Sequence, residues 1–171
     1  MHLLAVLLLA APAAPSTDYP TTKGTAGVSF VLPGGGSPTI GATYFLSNDV
    51  ALQVDFGLEA PISPGGTGQN LLFSLGGGLR FYPLKHNHVG VYLEPLVILG
   101  RELSPAVTAE AALFFQLGGA IGVEYFFFSH FSAGALLGLT LKLANLSGPA
   151  GTPVYTTLST ATTGLTANIY F

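Results

Sequence analysis

The chain has 171 residues, of which 49% are hydrophobic and only 8% charged, with a mean hydropathy of +0.58 and a formal net charge of −3. That length fits one domain, and the charged fraction lies far below the ~25% usual for soluble domains. Net acidity without a Lys/Arg cluster excludes a nucleic-acid-binding surface, and the absence of cysteine excludes disulfides and thiolate metal sites.

Taken in chain order, the first element reads as an export signal. Leu3 to Ala11 forms a short apolar core, and Ala11-Pro12-Ala13 supplies a small-x-small cleavage pattern, so residues 1–13 are expected to be a signal peptide. Residues 14–23 are polar and Pro-containing, as in a short linker. No window supplies the ~18 uninterrupted apolar residues of a spanning helix. A greasy chain without such helices satisfies its backbone in lipid only as a closed barrel. Residues 24–171 accordingly predict an all-β, eight-stranded antiparallel up-and-down transmembrane β-barrel, and the 23 glycines and 12 prolines suit turns and coiled strands better than helices.

From residue 24 onward the dominant period is two. In Val50-Ala51-Leu52-Gln53-Val54-Asp55-Phe56-Gly57-Leu58-Glu59 every even residue is large and apolar, and every odd one is small, polar or acidic. Alternate strand residues face opposite sides of a sheet, so one face of this segment is greasy and the other is not. Leu71, Phe73, Leu75, Leu79 and Phe81 alternate in the same way with Ser74, Gly76, Gly78, Arg80 and Tyr82. Strands are expected near 24–32, 38–46, 50–60, 70–82, 88–100, 108–126, 132–144 and 157–171. Tight turns fall at 47–49, 83–87 and 127–131, and longer Gly/Pro/Ser/Thr loops fall between the other pairs. In a membrane barrel the short turns face the periplasm and the long loops face outward.

Charge placement follows the same register. Asp55, Glu59, Arg80, Glu94, Glu110, Glu124 and Lys142 all fall opposite their strand's apolar series. A charge facing lipid at mid-depth costs roughly 2–4 kcal/mol for Arg or Lys and less for Asp or Glu, so these side chains belong in the lumen. Height above the turns predicts two tiers. Arg80 is expected with some of Asp55, Glu94 and Glu124, and Lys142 with Glu59, aided by Gln116; Glu110 belongs at the hydrated outer mouth. Aromatics gather at the turns and the chain's end: Tyr44, Phe45, Phe81, Tyr82, Tyr125 to Phe128, Phe131, Tyr170 and Phe171. That clustering predicts an interfacial girdle at the periplasmic rim.

Tyr44-Phe45-Leu46-Ser47-Asn48-Asp49-Val50-Ala51-Leu52, and Gly78-Leu79-Arg80-Phe81-Tyr82-Pro83 with Val89-Gly90-Val91-Tyr92, resemble the periplasmic hairpins of the OmpA/OmpX-like small outer-membrane β-barrels. The series Leu165, Ala167, Ile169, Phe171 is similar to the β-signal read by the outer-membrane assembly machinery. The resemblance implies an outer-membrane location, outer-membrane lipid and the assembly machinery as partners, no cofactor, and a structural or interaction role. Two other readings stand beside it. One is a narrow channel or amphiphile-binding barrel similar to OmpW-type proteins, with a small amphiphile as its ligand. The other is a secreted soluble binder of lipocalin type.

Candidate chemistry weighs less. His130-Phe131-Ser132 is similar to the His-x-Ser pair of outer-membrane lipid A deacylases, yet no Asp or Glu follows Glu124 to orient the base. No enzyme is expected. His86 and His88 share a strand face but lack a third metal ligand. The triplets at 34–36 and 76–78 lack the Lys and Ser/Thr of a phosphate-binding loop.

Overall fold

A computed structural model describes residues 21–34, 38–59, 71–103, 112–146 and 153–171. The expected signal peptide, most of the linker, and Glu110 lie outside the described residues. Eight strands run in chain order: β1 (Ala26–Pro33), β2 (Thr39–Ser47), β3 (Val50–Glu59), β4 (Leu71–His86), β5 (Val89–Leu103), β6 (Ala112–Phe128), β7 (Phe131–Ala144) and β8 (Tyr155–Tyr170). Each pairs antiparallel with its neighbours in sequence, and β1 pairs with β8, opposite Tyr170 at Gly27 and opposite Gly164 at Pro33, so the sheet closes. Closure leaves no unpaired edge, which is the condition for a sheet to survive in hydrocarbon.

The period-two pattern maps directly onto the two faces. Leu52, Val54, Phe56 and Leu58 of β3 are exposed on the outside, whereas Ala51 and Gln53 are buried in the lumen. The same split holds on the long strands: Leu93, Val97 and Leu99 point out of β5, while Tyr92 and Glu94 point in. Among the described strand residues, the outward register carries a single Asp, Glu, Lys or Arg, namely Arg101. It lies near the loop end of β5, where such a charge costs only about 0–1 kcal/mol.

Three boundaries differ from the sequence expectation. Pro83 does not end β4, which continues to His86, because the register shifts between Phe81 and Leu84 and places Tyr82 and Pro83 together in a bulge. A bulge is one of the few strand sites that tolerates a residue without an N–H. The turn falls instead at Asn87, whose φ of 51° is a left-handed value that asparagine adopts more readily than most residues. At the opposite end, β5 runs through Arg101 to Leu103 rather than stopping at Gly100. At the third hairpin β6 runs to Phe128 and β7 starts at Phe131, so Phe127, Phe128 and Phe131 of the expected turn belong to strands.

The expected aromatic girdle also needs correction. Tyr44, Phe81, Tyr125, Phe127, Phe128, Phe131 and Phe171 are exposed on the outside, but Phe45, Tyr82, Phe126 and Tyr170 are buried in the lumen. In Tyr44/Phe45, Phe81/Tyr82, Tyr125/Phe126 and Tyr170/Phe171 alternation sends one ring out and its neighbour in, whereas the register shift between Phe126 and Phe128 leaves Phe127 and Phe128 both outside.

Glycines give the inward rings their space. A Cβ on Gly122 would lie 2.1 Å from Tyr92 Cζ, whereas a Cβ on outward-facing Gly119 would meet nothing nearer than the Glu94 carbonyl oxygen at 4.0 Å. Gly122→Val should therefore lower stability by about 1–3 kcal/mol through displacement of the Tyr92 ring. Gly119→Val should leave it unchanged, as read from urea unfolding of the bilayer-inserted protein.

Candidate functional site

The lumen is divided into two unlike halves, and Arg80 stands at the boundary. The half nearer the tight turns is filled with side chains. Phe45, Tyr82, Tyr92, Phe126 and Tyr170 form a chain of neighbouring rings, with Phe45 to Tyr82 centroids 5.8 Å apart, Tyr82 to Tyr92 5.6 Å, Phe45 to Tyr170 6.0 Å and Phe126 to Tyr170 6.3 Å. These separations fall in the usual range for attractive tilted packing.

Polar atoms are threaded through these rings. Glu124 is fully buried and accepts from four neutral donors: Tyr82 Oη at 2.7 Å, Tyr170 Oη at 2.5 Å, Asn168 Nδ2 at 2.8 Å, and the Ser132 hydroxyl. Four donors on one carboxylate replace much of its lost hydration. A second cluster lies beside it. Gln53 donates through Nε2 to Asp55 Oδ1 at 2.7 Å and to the Ser29 hydroxyl, and accepts from the Thr43 hydroxyl through Oε1.

Arg80 is 1% exposed and donates from Nε to Glu94 Oε2 at 2.8 Å, with its guanidinium 4.7 Å from the Tyr92 ring centroid. Among the sequence-predicted tier, the structure thus joins Arg80 to Glu94. Asp55 is held by Gln53, and Glu124 by hydroxyl and amide donors rather than by a hydrogen bond from Arg80. Arg80 meets Glu94 because the two stand opposite each other in the β4–β5 ladder, between the pairs Gly78–Leu96 and Phe81–Leu93, whereas on the same strand it is Tyr82 that reaches across to Glu124 of β6. In the expected upper tier, Lys142 places its ammonium 4.3 Å from the Phe114 ring centroid, a cation–π contact that sequence height did not suggest. Glu59 and Gln116 line the same half of the lumen as Lys142.

That upper half holds a cavity of about 460 Å³. Its wall is largely apolar, from Leu72, Leu96, Ile98, Phe114 and Leu136, with several glycines and threonines, and Arg80, Glu94 and Asp55 lie toward its floor. At the far end of the barrel, Lys85 bridges the turn region, with Nζ 2.7 Å from Asp49 Oδ1 and 2.6 Å from the Asn48 carbonyl oxygen.

The remaining sequence candidates take ordinary places. Leu165, Ile169 and Phe171 are exposed on the outer face, with Ala167 in the same register. His130 Nδ1 lies 3.1 Å from the Tyr170 carbonyl oxygen, while Ser132 is engaged with Glu124, so the two side chains serve separate networks. Gly35 and Gly36 lie outside the described residues. Tyr82, Tyr92, Tyr170, Ser132, Asn168 and Gln53 were not singled out from sequence as lumen residues. The signal that finds them is the same register rule applied to uncharged side chains.

Comparison of whole folds gives one consistent group. The N-terminal β-barrel domain of Pseudomonas aeruginosa OprF superposes with a TM-score of 0.56 at 15% identity, covering 87% of this chain and 98% of that one. The chain has the fold of the OmpA/OmpX-like small β-barrels. Neisserial surface protein A is similar too, with a TM-score of 0.54 at 19% identity over 85% of this chain and 92% of that one. No family model and no curated protein matches the sequence.

The Arg80–Glu94 pair gives a direct test of the lumen. Removing one partner leaves a buried charge uncompensated, so Arg80→Met should cost about 3–5 kcal/mol. The double change Arg80→Met with Glu94→Leu should recover most of that loss. A double-mutant cycle from reversible urea unfolding in lipid reads both values.

Proposed function

We propose that this chain is an integral barrel of the bacterial outer membrane with a structural or interaction role in the envelope, and that its lumen does not conduct. The observation that carries the location is the outward register: among the described strand residues it is mostly apolar or small, and Arg101 near the rim is its one Asp, Glu, Lys or Arg. A soluble binder of lipocalin type exposes its outer face to water, which this register does not suit. Outer-membrane lipid is then the main contact. The outward series Leu165, Ala167, Ile169 and Phe171 is what the assembly machinery would read during insertion. The tight turns at Asn48, Asn87 and Ser129 face the periplasm in this reading, and the looser connections face outward.

Closure of the lumen rests on the filled half. A conducting path would have to pass the Tyr82, Tyr92, Phe126 and Tyr170 rings and the fully buried Glu124. An eight-stranded barrel is about wide enough to be filled by its own side chains. A catalytic role finds no support in His130 and Ser132, whose partners differ.

The experiment has two readouts on one preparation. Refolded protein should migrate as a heat-modifiable band after membrane insertion. In planar bilayers it should show no unitary conductance steps. Regular steps from the wild-type barrel would overturn the closed-lumen reading.

A further inference from the structure

Arg80 is almost wholly buried, and its Nε donates to Glu94. Its Nη1 is buried without a hydrogen-bond partner. A guanidinium carries five donors, and leaving a buried one unmet is costly enough that such groups are rarely left so. Arg80 also lies toward the floor of the upper cavity, below the apolar walls of Leu72, Leu96, Ile98, Phe114 and Leu136. The cavity thus combines a charged donor at its base with a greasy shaft above it. Its volume of about 460 Å³ lies within the ~300–1,000 Å³ typical of small-molecule sites.

The charges select among head groups. Three carboxylates, Asp55, Glu59 and Glu94, line the cavity against two cations, Arg80 and Lys142. Glu94 already neutralises Arg80, and Lys142 lies over the Phe114 ring. An anionic head would add to an existing acidic excess. A neutral head that accepts a hydrogen bond satisfies the guanidinium without that repulsion.

We propose that the upper half of the lumen binds an uncharged amphiphile, its hydroxyl or carbonyl oxygen accepting from Arg80 and its alkyl chain rising between Leu72, Leu96, Ile98, Phe114 and Leu136. The site goes beyond the structural role proposed above. A conducting lumen would defeat that role without altering the contacts tested next.

Gly76 provides a variant that leaves the polar groups alone. A Cβ there would lie 3.5 Å from Ile98 Cγ1, 3.7 Å from Asp55 Cβ and 3.8 Å from the Asp55 carbonyl oxygen, all ordinary contacts, and Gly76 lines the cavity, so Gly76→Leu is the substitution chosen to fill the shaft. The probe is protonated decan-1-ol, with decanoate as its charged counterpart. The protein is the refolded full chain in nanodiscs of deuterated lipid, methyl-labelled at Ile and Leu. Decanol should give saturable nuclear Overhauser contacts to the lumen-facing Ile98 and Leu136 methyls and shift the Arg80 Nε–Hε resonance. Decanoate should bind at least ten-fold more weakly. Gly76→Leu should lose the Ile98 and Leu136 contacts while keeping those to outward-facing Leu93 and Leu137, which report decanol dissolved in the bilayer. Contacts confined to Leu93 and Leu137 in the wild type would overturn the proposal. So would decanoate binding as tightly as decanol, or an unchanged Gly76→Leu variant.

Discussion

The closed hydrogen-bond ladder is the constraint on which the other features depend. Within hydrocarbon no water is available to satisfy a backbone N–H or C=O, and each unmet group costs several kcal/mol. Pairing β1 with β8 removes the last open edges. Once the ladder is closed, every side chain must choose between two faces, and the pleat makes that choice alternate. The apolar outer register, the inward carboxylates and the splitting of aromatic pairs across the wall all follow from this one geometric rule.

Packing then decides what alternation leaves open. Inward positions near the tight turns are filled by rings and by Glu124 with its four neutral donors, while positions above Arg80 are dominated by glycine, threonine and aliphatic residues. Small residues in one half and large ones in the other turn a uniform cylinder into a plug with a cavity over it. Arg80 belongs to both halves: its Nε is committed to the Glu94 pair and its Nη1 is not. The bulge at Tyr82 and Pro83 belongs to the same arrangement, since it sets two residues against Tyr92 and so keeps the Tyr82 ring pointing inward beside it.

Strand number, order and facing were legible in the sequence because a half-lipid, half-lumen strand writes its register into alternate residues. Val50 to Glu59 shows this without ambiguity. Pro83 misled because a missing N–H reads as a break, and a bulge that absorbs it leaves no mark at that position. Arg101 misled because a charge near the rim is cheap enough to remain in a strand. The lumen was only half legible. Height along a strand can be counted, but the register between strands cannot, so Arg80 meets Glu94, its opposite in the β4–β5 ladder, while Glu124 finds tyrosines, a serine and an asparagine. Neutral donors carry no charge signal, and so the residues that hold Glu124 were invisible to an argument built on ion pairs.

The central claim is that alternate residues of each strand face lipid and lumen. Site-directed spin labels at successive positions 52 to 56 of β3, in lipid bilayers, test it most directly. Collision with dissolved oxygen, which concentrates in the hydrocarbon, should be high for labels replacing Leu52, Val54 and Phe56 and low for those replacing Gln53 and Asp55. Equal oxygen accessibility along the strand, or stronger collision with a water-soluble nickel complex at Leu52, Val54 and Phe56, would contradict the account.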